Sequence, residues 1–161
     1  MEILVELDGV LRGPNDGVIP TGVMLYQTLT AYNRMTILSS STKDETERWL
    51  NVNKIVDFDL IIDVKHHLEG EELVPRQINV ARSRGGVELF ITPNPDNWVY
   101  AFNQGIPSLM FGVPAYQRVE FRPDAPKRLR SWDSIVAAVE KQNEIRTKDV
   151  RLSRTDGLNF E

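Results

Sequence analysis

The chain has 161 residues, of which 19 are basic and 23 acidic, giving a net charge of −4 at pH 7. At roughly 150 residues per domain this is one domain with one hydrophobic core. Hydrophobic residues at 41% and charged residues at 26% exclude a chain that stays unfolded throughout, and the absence of cysteine excludes disulfides, thiolate nucleophiles and cysteine-held metals.

Short apolar runs alternate with longer amphipathic segments, the pattern of repeated strand–helix units. The first strand is predicted over residues 3 to 7, ILVEL. Residues 12 to 17, RGPNDG, form a polar loop or small hairpin. Pro20 suits the first turn of a helix that carries Val23, Leu25, Leu29 and Tyr32. A second strand over residues 35 to 38 runs into Ser39-Ser40-Ser41-Thr42. Thr42 caps the next helix, with Glu45 three residues later completing a capping box, and that helix carries Trp49 and Leu50.

The third strand is predicted over residues 59 to 62 and a polar turn over 69 to 72. Pro75 starts a helix with Ile78, Val80 and Ala81, which Gly85-Gly86 stops. A fourth strand covers residues 87 to 91. Pro93-Asn94-Pro95 leads into a helix over 96 to 103, which Gly105 ends, and a fifth strand covers 108 to 111. The expected fold is therefore α/β: a three-layer, Rossmann-like, open and mostly parallel five-stranded sheet covered on both faces. Ser131 is the expected cap of a last helix, and residues 146 to 161 are an expected polar tail outside a single domain of residues 1 to 145.

In an open parallel sheet, ligands collect beyond the C-terminal strand ends, where strand order switches. Those ends carry Glu6 and Asp8, then residues 39 to 41, then the turn from Thr92 to Asp96. Glu6 and Asp8, two residues apart after a buried strand, point the same way and suit a shared divalent cation such as magnesium. Asp8-Gly9 also reads as an ordinary turn and Ser39 as a helix cap. Glu6 lies inside the strongest apolar run, where an unpaired carboxylate is expensive.

Residues 6 to 11, ELDGVL, resemble the first motif of the haloacid-dehalogenase-like phosphohydrolases, and the chain is most similar to small phage-encoded members with almost no cap domain. Ser39 matches the hydroxyl residue that holds the transferred phosphoryl group, Arg76 the basic third motif, and the turn from Thr92 to Asp96 the fourth. The resemblance covers most of residues 1 to 115. It implies magnesium held by Glu6, Asp8 and Asp96, with Glu6 as nucleophile, Asp8 as general acid and base, Ser39 orienting a phosphoryl oxygen and Arg76 offsetting charge. The implied substrate is a phosphomonoester on a nucleotide or a nucleic-acid end.

Two positions depart from the family pattern. Glu6 stands where the nucleophile is almost always Asp, and Thr92 stands where an acid follows the fourth strand. The extra methylene of Glu6 moves its carboxylate by more than about 1 Å, a displacement that can cost about a hundredfold in rate. The alternative reading is accordingly a catalytically inactive scaffold used for binding or assembly.

Arg118, Arg122, Lys127, Arg128 and Arg130, interleaved with Tyr116, Phe121 and Trp132, make a basic stretch that can follow a phosphate backbone or serve as a solvated connector. Arg12 and Ser40 are further candidate substrate contacts. His66 and His67 are adjacent and lack the further ligands a zinc site needs. No run approaches 18 apolar residues and MEILVELDGV lacks the basic start of a secretory signal, so a cytoplasmic location without a membrane partner is expected, in the host cell if phage-encoded.

Overall fold

Period-two alternation along the first strand sorts its side chains between two cores. In β1 (Glu2–Glu6), Ile3 and Val5 face one side of the sheet and Leu4 faces the other. The same split continues through β2 (Arg34–Leu38), where Met35 and Ile37 join the first core and Leu38 the second. A computed structural model of the chain describes residues 1–114 and 132–148. Three further strands, β3 (Leu60–Ile62), β4 (Leu89–Thr92) and β5 (Ser108–Met110), complete a sheet of order β3-β2-β1-β4-β5, parallel at every pairing.

One face is covered by α1 (Pro20–Thr30) and α2 (Lys43–Val52), which contribute the buried Tyr26 and Leu50. The other is covered by α3 (Leu73–Arg84) and α4 (Pro95–Asn103), through Ile78, Ala81 and Ala101. The expected three-layer parallel α/β architecture is therefore the observed one. Alongside α4 lies α5 (Trp132–Lys148), which carries residues 146 to 148 of the expected tail. Ser131, the expected cap of α5, lies outside the described residues, as do residues 149 to 161.

Boundaries differ from expectation by one or two residues at most ends. Asp59 lies just before β3 and fixes the strand entrance: its side chain accepts the Met35 N–H at 2.7 Å and its own N–H donates to the Met35 carbonyl at 2.9 Å. Tyr32 lies beyond the end of α1 and is exposed, so the apolar side of that helix stops at Leu29. The predicted capping box of α2 is present: Thr42 Oγ1 accepts the Glu45 N–H and the Glu45 side chain accepts the Thr42 N–H. Thr42→Ala removes one of those acceptors and is expected to cost about 1 kcal/mol, read as a lowered midpoint in urea with an unchanged slope.

Two glycines hold the loop after β1 in place. Gly9 has φ +85, and a Cβ there would lie 2.5 Å from Pro93 Cγ. Gly22 lets the first turn of α1 close against the backbone of Val10. The loop is thereby gripped from β4 on one side and from α1 on the other.

Candidate active site

The register of the sheet determines which side chains meet. Glu6 pairs with Leu38, and the pairing of Val5 with Ile91 sets Thr92 beside Glu6 on the neighbouring strand. Alternation puts Glu6 on the same face as Leu4, toward α3 and α4. There its Oε1 accepts from Thr92 Oγ1 and from Asn97 Nδ2, both at 2.7 Å. Glu6 Oε2 accepts no hydrogen bond among the described residues. Burial pushes the Glu6 carboxyl up to about 7; the Thr92 and Asn97 hydrogen bonds oppose that rise, and the Asp8 charge adds to it. Among the described residues, no cation is among the groups acting on it.

Asp8 is held differently. Its Oδ1 accepts from Arg12 Nε at 2.6 Å, and its Oδ2 accepts from the Ser40 hydroxyl at 2.5 Å. The Arg12 side chain is 10% exposed and the Asp8 side chain 46%, so the guanidinium is held in place while solvent still reaches the carboxylate. A second Arg12 nitrogen donates to Ser41 Oγ at 3.2 Å, and the guanidinium lies 5.9 Å from the centroid of the Trp49 ring. Isolated bridges between Asp8 and Arg12 and between Arg12 and Val18 fold residues 8 to 18 into a small flap.

Glu6, Asp8, Ser40 and Arg12 thus come together at the strand ends, and Asn97 joins them. Ser39 is buried, with its hydroxyl 2.7 Å from Thr46 Oγ1 and accepting the Ser41 N–H, so it ties β2 to α2. Arg76 lies in a groove with Glu71, Glu72, Asn79 and Tyr100, and its buried Nε has no hydrogen-bond partner among the described residues. Its neighbour Gln77 inserts under the strand ends instead, donating to the carbonyls of Ser39 and Ile62 at 2.8 and 3.0 Å.

Asp96 is exposed on the first turn of α4, and its neighbour Asn97 is the residue turned toward Glu6. His66 closes a short 3-10 helix after β3 and His67 follows it. Arg118, Arg122 and Arg128 lie outside the described residues. Among the described residues, no three acidic or histidine side chains converge as a metal-holding group. No described helix is long and apolar enough to cross a membrane.

The parallel strand order, with helices on both faces, matches a Rossmannoid core fold such as haloacid-dehalogenase-like proteins have. Among solved structures, a chain of the Pnkp1/Rnl/Hen1 RNA repair complex is similar, with a TM-score of 0.56 and 17% sequence identity. The match covers 69% of this chain and 43% of that one, so this chain spans less than half the length of the protein it resembles. That likeness is one of fold. No protein-family model matches the chain, and no curated protein sequence is significantly similar to it.

Proposed function

We propose that this is a minimal-cap haloacid-dehalogenase-like domain that has lost magnesium-dependent hydrolysis and uses its crevice to bind the phosphate end of a nucleotide or nucleic acid. The observation that carries this reading is that both motif acids already have partners. Glu6 Oε1 is occupied by two neutral donors, and each Asp8 oxygen is engaged, one by a guanidinium. A resident magnesium is best held by carboxylate oxygens free of competing donors, and of the four oxygens on these two acids only Glu6 Oε2 is unengaged, on a carboxyl that burial pushes toward its neutral form.

The same arrangement favours an anion. Arg12 and Ser40 donate to Asp8, and a phosphate dianion competes with that one carboxylate for both donors. Glu6, about half protonated near pH 7, repels an incoming phosphate less than an ordinary carboxylate would. The similar chain from an RNA repair complex supports a nucleic-acid end as the phosphorylated group.

Binding of 3′- and 5′-phosphorylated oligonucleotides, measured by calorimetry in EDTA, tests the reading. Affinity should fall about tenfold or more in Arg12→Ala, the loss expected on removing one charge-assisted contact. Equal affinity for phosphorylated and unphosphorylated ends would overturn it. A second reading, slow magnesium-dependent phosphomonoester hydrolysis with Glu6 as nucleophile, is favoured by the unengaged Glu6 Oε2. It requires turnover that disappears in Asp8→Asn.

A further inference from the structure

An open groove of about 470 Å³ adjoins the crevice, within the size range of small-molecule sites. Its walls include Arg12, Asp16, Ser41, Glu45, Arg48 and Trp49. We propose that this groove is a nucleobase subsite: a nucleotide whose phosphate engages Arg12 and Ser40 lays its base along Trp49. The inference rests on the phosphate reading of the crevice and adds the chemical class of what the phosphate carries.

Continuity is the first argument. Arg12 bonds Asp8 in the crevice and Ser41 at the groove, so one side chain forms the border of both. A ligand phosphate at Arg12 has its next substituent directed along a wall that is already built.

The second argument is the rigidity of that wall. Trp49 Nε1 donates to the Asp16 carbonyl at 2.8 Å and the ring packs on the core, which fixes it; a base takes the place of the Arg12 guanidinium, 5.9 Å from the ring centroid, when Arg12 turns to the phosphate. A flat ring held in one orientation offers stacking without an ordering cost on binding.

Charge selects the kind of ligand. The two arginines of the groove are balanced by Asp16 and Glu45, so the groove has no net attraction for a second phosphate. Its rim instead offers donors and acceptors to a neutral heterocycle. Arg48 is exposed and makes no hydrogen bond or ion pair among the described residues, leaving its donors available to a base edge. A purely apolar ring would leave those rim groups unused.

Calorimetry in EDTA with adenosine 5′-monophosphate, ribose 5-phosphate, inorganic phosphate, adenosine and O-phosphotyrosine separates the possibilities. Adenosine 5′-monophosphate should bind about tenfold more tightly than ribose 5-phosphate. That advantage should disappear in Trp49→Leu and persist in Trp49→Phe, which keeps a ring. If Trp49→Leu fails to fold, the ligand series on the parent protein decides alone. Equal affinity for adenosine 5′-monophosphate and ribose 5-phosphate overturns the subsite and leaves the phosphate reading standing. Binding of adenosine without binding of either simple phosphate upholds the groove and overturns the phosphate reading. Equal gains from O-phosphotyrosine and adenosine 5′-monophosphate overturn the assignment to a nucleobase.

Discussion

Glu6→Gln is expected to stabilise the protein at pH 8 by up to about 3 kcal/mol and to flatten its stability between pH 5 and pH 8. The figure follows from a carboxyl raised from 4.5 to about 7 in the fold, at about 1.4 kcal/mol per unit. Between those two values the folded state holds a proton that the unfolded chain has released. The contribution is therefore complete below about pH 4.5 and is lost as pH rises through about 7. Glutamine keeps an oxygen for Thr92 and Asn97 and carries no charge to desolvate. Urea unfolding at pH 5 and pH 8 checks this; a parent protein equally stable at both, with a Gln variant weaker at pH 8, contradicts it.

Gly22→Ala is expected to cost about 3 kcal/mol or more, at the upper end of overpacking penalties. In an exposed helix interior the same change usually stabilises by about 1 kcal/mol. Here a Cβ would stand 1.6 Å from the Val10 carbonyl oxygen and 2.7 Å from its carbon. Both are backbone atoms, so no rotamer change relieves the overlap. Either α1 or the loop carrying Arg12 must shift. Gly17, around which a Cβ would meet nothing within 4 Å, is the control: Gly17→Ala should leave the urea midpoint close to that of the parent. A Gly22→Ala protein as stable as the parent would contradict the packing of α1 on this loop.

Much of the fold is legible in the sequence because the signals are local. Alternation in ILVEL, the Thr42–Glu45 capping box and the glycine after α4 each act within a few residues. Glu6 also stands out locally, as a carboxylate within a buried run. Its partners are not legible in this way. At three places the chemically obvious residue and the residue that makes the contact at the strand ends are immediate neighbours: Ser39 and Ser40, Arg76 and Gln77, Asp96 and Asn97.

One position along a helix rotates a side chain by about 100°, and one position along an extended segment reverses it, so packing phase decides between such neighbours. That phase is set by how α3 and α4 lie on the sheet, a tertiary property. The Arg12–Asp8 pair depends likewise on the flap closing, which the loop composition alone does not specify.

The function proposed above has the crevice bind a phosphate end without magnesium-dependent hydrolysis. Phosphate release from 3′- and 5′-phosphorylated oligonucleotides in magnesium, compared between the parent and Glu6→Asp/Thr92→Asp, tests it most directly. The account predicts background release from the parent and magnesium-dependent release once both acids are restored. Magnesium-dependent release by the parent that vanishes in Asp8→Asn would contradict it.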